Sequence, residues 1–237
     1  MRLLHVSDLH FNRIWFRWLT QRAKEVDAVC LSGDWIHRAQ PLPLSVRNQA
    51  CWCQDWLAAY PGLLFGCTGN HDWWRMKTPP HSDARGGKPE RRDLNAEGGW
   101  LYKARRPGIL LDEAGAIGGL SFYAQSWGGA LDIYPSGPTV ILAHEPPHGH
   151  PVAQGEGRDS GDVDLMELAG RLPIGSLVLS GHIHQPRRWC SRCGDAWCFN
   201  PGVDRAASEP NHIMIDTERQ EARAFLWGRE LVQSLAG

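Results

Sequence analysis

Apolar residues in the amino-terminal half of this chain come in two alternating forms. Short continuous runs at Arg2–Ser7, Ala28–Ser32 and Leu63–Thr68 read as strands, while Ile14–Glu25 and Leu44–Ala59 carry apolar residues at helical spacing. Strand and helix alternating in this way predict a parallel sheet with crossover helices. Ile109–Leu111, Gly119–Trp127, Thr139–Ala143 and Ser176–Ser180 read as further strands, and Asp162–Leu172 as a helix that opens on acidic residues and closes at Pro173. From Arg187 onward the pattern predicts two hairpins, Arg188–Cys190 with Trp197–Asn200 and His212–Asp216 with Glu221–Leu226. Residues 73–107 break the pattern: they are rich in Gly, Pro and charge, with nine Lys/Arg against four Asp/Glu. They read as a solvated loop or a cap, inserted in a single domain of residues 1–237.

Composition changes this picture little. The 237 residues are 42% apolar and 22% charged with a formal net charge of -1, which argues against a wide, uniformly basic nucleic-acid surface but not against a local patch. Seven cysteines, an odd number with Cys30 and Cys67 inside strands, point to a reducing compartment. No cationic stretch followed by an apolar run opens the chain, and no apolar run is long enough to span a bilayer, so a cytoplasmic protein without membrane attachment is expected. Among the twelve tryptophans, Trp15 with Trp18 and Trp52 with Trp56 have the spacing of buried helix faces, whereas Trp73-Trp74 could wall a site. Cys190-x-x-Cys193 with Cys198 lacks a second close pair, since Cys51 and Cys53 are remote; it reads as a hairpin turn carrying incidental thiols rather than a zinc site.

Chemistry concentrates at the ends of the strand-like runs. Asp8-Leu9-His10, Gly33-Asp34, Gly69-Asn70-His71-Asp72, His144 and Gly181-His182-Ile183-His184 each follow one. Ligands of α/β sheets gather outside the carboxyl ends of strands, so five such ends can converge, and glycines 33, 69 and 181 would permit the sharp turns that aim the donors inward. Asp8, Asp34, Asn70, His10, His144, His182 and His184 are too many donors for one tetrahedral ion and suit two adjacent divalent ions bridged by a carboxylate. Mixed nitrogen and oxygen ligands without thiolate favour manganese, iron or zinc over calcium. His5 and His212 read as structural histidines, while His37, His148 and His150 lie where they could touch substrate.

The series D-x-H, G-D, G-N-H-D, H, G-H-x-H resembles the calcineurin-like metallophosphoesterase superfamily, and it runs from Asp8 to His184. The resemblance implies a four-layer α/β/β/α sandwich with a two-metal site at the sheet's carboxyl edge. By the same motifs Asp8, His10, Asp34 and His184 would hold one metal, Asp34 would bridge, Asn70, His144 and His182 would hold the second, and His71 would be the catalytic histidine. His144-Glu-Pro-Pro-His-Gly, Gly161-Asp162 and Asn200-Pro-Gly are also similar to the small bacterial and viral phosphodiesterase-like branch.

The expected activity is hydrolysis of phosphate esters, foremost phosphodiesters, by a hydroxide bridging two divalent metals that attacks phosphorus in line. Asp72 is a candidate support for the ligands. Arg75 opens a basic stretch (Lys77, Arg85, Lys88, Arg91, Arg92, Lys103, Arg105 and Arg106 follow) that would suit a nucleotide or a nucleic-acid end. The alternatives are a nuclease acting on DNA or RNA and a non-catalytic scaffold of the same fold; retention of every ligand and of His71 argues against the scaffold. No obligate protein partner is expected.

Overall fold

The computed structural model of the chain describes residues 1–39, 41, 44–72, 100–104, 106–155 and 157–236. Strands β1 (Arg2–Val6), β2 (Ala28–Ser32), β3 (Leu64–Cys67) and β4 (Ile109–Leu111) lie side by side and parallel. Beyond β1 the same sheet continues antiparallel through β13 (His212–Asp216), β14 (Glu221–Leu226) and β15 (Arg229–Ser234). A second sheet is built from β5 (Ala114–Ile117), β6 (Leu120–Ala124), β7 (Thr139–Leu142), β10 (Leu177–Leu179), β11 (Cys190–Cys193) and β12 (Ala196–Phe199), in the order β11-β12-β10-β7-β6-β5. The pair β8 (Gln154–Gly155) and β9 (Arg158–Asp159) makes a separate small hairpin. Among the described residues the helices are α1 (Arg13–Arg22), α2 (Val46–Ala59) and α3 (Val163–Ala169), with a 3-10 turn at Tyr102–Ala104.

Alternation along the strands sets the layers. Leu4 and Val6 of β1 pack with Trp15, Phe16 and Leu19 of α1 and Leu57 of α2. Leu3, on the opposite face of the same strand, packs with Phe122 and Val140 of the second sheet. Ile141 and Val178, on that sheet's outer face, meet Leu165 and Leu168 of α3. Helix, sheet, sheet and helix therefore stack in that order. Burying each large apolar side chain of these three cores contributes about 1.5–3 kcal/mol.

Each helix begins on a side-chain cap, as its sequence allows. Asn12 accepts from Ile14 N at 3.1 Å, Ser45 from Asn48 N at 3.2 Å, and Asp162 from Asp164 N at 2.8 Å. Trp15 is buried, and Trp18, Trp52 and Trp56 pack half-buried against the same core.

Two sequence expectations need correction. The thiols Cys190 and Cys193 lie on β11 itself, and the turn is the tight Gly194-Asp195 pair; two-residue turns of this kind fix register more firmly than the apolar pattern did. Strands β5 and β15 were not anticipated, because one is glycine-containing and half-exposed and the other an almost wholly exposed edge. At the far end of the 73–107 segment Trp100, Leu101 and Ala104 pack into the first core, and Arg106 donates to the carbonyls of Leu57 and Tyr60 at the end of α2, so its side chain is tied to the fold. Trp73, Trp74, Arg75 and the rest of the basic stretch through residue 99, with Arg105, lie outside the described residues.

Candidate metal centre

Loops after β1 and β2 continue side by side past the sheet. Asp8 N donates to Gly33 O (3.1 Å), His10 N to Asp34 O (2.9 Å) and Phe11 N to Trp35 O (2.9 Å). Within them Asp8, His10 and Asp34 adopt left-handed backbone conformations (φ 55°, 42° and 54°), as does His182 (φ 66°). Such conformations cost non-glycine residues on the order of 1–3 kcal/mol each and persist where surrounding structure imposes them. Nothing in the sequence pattern announces this strain.

Glycines serve the site differently from the simple turn role expected of them. Gly33 does require its positive φ of 87°. At Gly69 and Gly181 the constraint is room: a side chain would collide with Asp34 at the first and with Ser7 and Asp8 at the second.

The donor atoms fall into two groups that share Asp34. In the first, His10 Nε2 and His184 Nε2 face each other at 3.0 Å, with Asp8 Oδ1 3.4 Å from His184 Nε2 and Asp34 Oδ2 3.7 Å from His10 Nε2. In the second, Asn70 Oδ1 lies 2.9 Å from His144 Nε2 and 3.1 Å from His182 Nδ1, and Asp34 Oδ1 lies 3.4 Å from His144 Nε2. All seven residues are brought together, and the backbone N–H of His71 ties in by donating to Asp34 Oδ1 at 2.8 Å.

These contacts set acceptors against acceptors. His144 Nδ1 sits 2.8 Å from the Ser32 carbonyl, which only a protonated Nδ1 satisfies, so Nε2 is the nitrogen that faces the oxygens of Asn70 and Asp34. Asp8 Oδ1 is buried without a hydrogen-bond partner. A buried anionic oxygen left so is costly unless a cation answers it. Burial drives His10 and His182 down to about 4, which keeps their ring lone pairs free. Burial would also lower His144, but the charge of Asp34, its contact with the ring, and Asp8 together carry it up to about 10. Burial opposes ionisation of Asp8 and Asp34 too, yet surrounding histidines hold both below the ordinary carboxylate range. The chemistry of the donor set thus demands positive charge at two adjacent points, and it fits divalent first-row ions.

Support comes from residues behind the donors. Asp72 accepts from Trp35 N (2.9 Å) and Ile36 N (3.2 Å) with Oδ1 and from Gly69 N (2.8 Å) with Oδ2, clamping the loops after β2 and β3 together. Asn200 donates through Nδ2 to the carbonyls of Gly181 and Ile183, fixing the loop that carries His182 and His184.

His71 is half-buried, and its Nδ1 accepts the backbone N–H of Arg38 at 3.0 Å, so its proton resides on Nε2. His37 stacks on His71 with ring centroids 5.5 Å apart and joins His10 and His71 in a cluster of ring nitrogens. His148 instead pairs with Asp159 at 3.0 Å, and His5 and His212 are buried structural residues. Sequence reasoning missed Trp127, whose ring borders both His144 and His182 at 5.6 and 5.5 Å, and Arg205, which shares a small cavity with Asp8, His10 and His37. Neither follows a motif; tertiary folding alone brings them in. No cluster of potential metal donors among the described residues includes a cysteine.

Two carboxylates, an amide and four imidazoles around a shared Asp34, at the carboxyl edge of a layered α/β fold, define a two-metal hydrolase. Over residues 1–186 the sequence matches the calcineurin-like phosphoesterase family, and the chain belongs to that family. It is a metal-dependent hydrolase of phosphoric esters whose centre takes two divalent ions. Its fold resembles that of the protein TT1561 of Thermus thermophilus (13% identity, 99% of each chain covered, TM-score 0.56). Purple acid phosphatase PPD1 from yellow lupin (Lupinus luteus) seeds is similar in fold at 11% identity and a TM-score of 0.55, covering 99% of this chain and 51% of that one. No curated protein matches the sequence.

Proposed function

We propose that the protein is a phosphodiesterase, with Asp8, His10, Asp34 and His184 holding one metal ion, Asn70, His144 and His182 the other, and His71 acting as the catalytic histidine. When bound, two divalent ions supply acidity that turns water into a nucleophile near neutral pH and charge that neutralises phosphoryl oxygens. The observation that carries the reading is the His71 hydrogen bond from Arg38 N, which leaves an Nε2–H to donate to a departing alkoxide. Arg38 and Arg205 are the cations bordering the donor cluster among the described residues, a modest positive charge that suits a singly charged diester better than a doubly charged monoester. Manganese, iron and zinc all suit the donor set.

A cytoplasmic location belongs to the same reading, supported by seven cysteines without disulfides. No helix among the described residues is long and apolar enough to cross a membrane.

The test is turnover of an aryl phosphodiester beside the matching monoester, using metal-stripped protein reloaded with manganese. Aryl diester turnover that needs metal and exceeds monoester turnover is the expected result, together with collapse of alkyl diester turnover in His71→Ala. Preference for the monoester, or alkyl diester turnover untouched by His71→Ala, overturns the assignment.

A further inference from the structure

A surface of arginines and tryptophans leads away from the metal centre across the edges of both sheets. It starts at His184 itself. The space where a Gly202 side chain would stand is bounded by the His184 carbonyl (2.6 Å), the Pro186 ring (2.9 Å) and the Trp227 ring (3.1 Å), so Gly202 is flanked by Trp227 and by the backbone of a candidate metal donor. From there residues 185–189 are fixed by main-chain hydrogen bonds: Arg187 N to Gln154 O (2.7 Å), Arg188 N to Pro151 O (3.3 Å) and Asn200 N to Trp189 O (2.9 Å). This rigid segment opens onto a groove of about 750 Å³ bordered by β11 and β15, where Arg187, Arg188 and Arg192 alternate with Trp189, Trp197 and Trp227. Arg187 also borders a second cavity of about 510 Å³ beside the β8–β9 hairpin, which adds Arg158.

Charge in this surface is one-sided. Among the residues lining the two cavities the carboxylate is Asp159, and its oxygens are engaged by Gly149 N (2.8 Å), Gly161 N (2.9 Å) and His148. At the rim, Asp195 sits 3.8 Å from Arg192, a long and largely exposed contact that neutralises little. Arg187 and Arg188 are exposed, in a chain whose overall charge is -1, so the positive field here is local. The tryptophans line a concavity instead of projecting from it: Trp189 and Trp197 are half-buried against the inter-sheet core, and Trp227 is 43% exposed. A bilayer would call for protruding apolar rings; a groove that joins guanidinium groups to indole faces matches a chain of phosphates and bases.

We propose that this groove binds single-stranded nucleic acid, phosphates on Arg187, Arg188 and Arg192 and bases against Trp189 and Trp227, and leads the strand to the metal centre. The substrate class rests on the phosphodiesterase reading, whereas strand binding by the groove stands independently of turnover.

Fluorescence anisotropy with a labelled oligothymidylate of about fifteen nucleotides tests it, on manganese-loaded protein and again with chelator to keep the strand intact. Wild type should bind with an affinity that falls with salt, with a logarithmic slope of about -2 for three phosphate contacts. Arg187→Ala/Arg188→Ala should weaken binding about tenfold or more and flatten that slope by about 1.4, and Trp227→Ala should weaken it about tenfold with the slope kept. Arg219→Ala, beside the amino end of β1 and so away from the metal centre, should change nothing. Far-UV circular dichroism and melting confirm that each variant is folded. Binding unaffected by the arginine pair, or matched by vesicles rich in phosphatidylserine, overturns the proposal. Aryl diester turnover without strand binding also overturns it and leaves the phosphodiesterase standing. Strand binding without diester turnover removes the phosphodiesterase and leaves the groove.

Discussion

His144 and His71 both take their orientation from main chain at the end of β2 and just beyond it, but from groups of opposite polarity. His144 Nδ1 meets the Ser32 carbonyl, so the ring turns Nε2 toward Asp34 and Asn70, where a bound cation would take the place of its proton. His71 Nδ1 meets the Arg38 amide N–H, so the ring turns an Nε2–H outward. In the proposed function the same side chain would be a ligand in one case and a proton donor in the other. On that reading a carbonyl sets up the ligand and an amide sets up the acid, and neither orientation needs a side-chain carboxylate.

Breaking the ligand half should have the largest effect. Asp34→Asn, which alters the carboxylate shared by both donor groups, should leave no metal-dependent turnover above background and lower bound metal, read by elemental analysis of the dialysed protein. His71→Ala should lose about 10²–10⁴ in turnover of an alkyl diester while keeping its metal. With a nitrophenolate leaving group, which needs no proton, that loss should shrink; an equal loss for both esters would mean that His71 is not the acid.

Chelation sharpens the same contrast through stability. Stripping metal removes about 2.7 kcal/mol at a metal concentration a hundred times Kd, seen as a lower melting temperature, and His71→Ala should show the full shift where His144→Ala does not. Asp72→Asn probes the clamp that places both histidines. Burial and the charge of Asp34 push Asp72 well above the ordinary carboxylate range, against the smaller pull of its backbone N–H donors, and the amide would leave one of those donors unmet. Urea unfolding should show a loss of about 1–3 kcal/mol.

At neutral pH the smallest effect comes from His5, buried under the site with Nε2 2.8 Å from Ser32 Oγ. Burial lowers it to about 3, below its ordinary 6.5. Between those values the unfolded chain binds the proton and the folded one does not, so stability falls as pH drops from about 6.5 toward about 3. His5→Gln should flatten the urea midpoint across that window, and an unchanged pH profile would remove His5 from the account.

Much of this was legible in the chain. Strands β2, β4, β13 and β14 have the bounds the apolar pattern sets, because continuous or alternating apolar runs bounded by turn residues leave few other options. The donors were legible because each is local to a strand end. Arg205 and Trp127 were not, since their part in the site depends on loops meeting from distant positions. The turn Gly194-Asp195 could have been found from its residues; the exposed β15 carries too little periodicity to be found at all.

The sequence by itself determined the sheets' inner strands, and it singled out the seven candidate donors, whose residue types suit divalent ions. Only the tertiary structure decided which ring nitrogen each histidine presents, that Asp8 Oδ1 is buried without a partner, and that Asp8, His10, Asp34 and His182 are held left-handed. It also decided that arginines and tryptophans from β11 and the segment before it, from β12 and from the turn after β14 share one groove. Donor type is a property of a residue. Proton position, strain and juxtaposition are properties of the contacts between residues far apart in the chain.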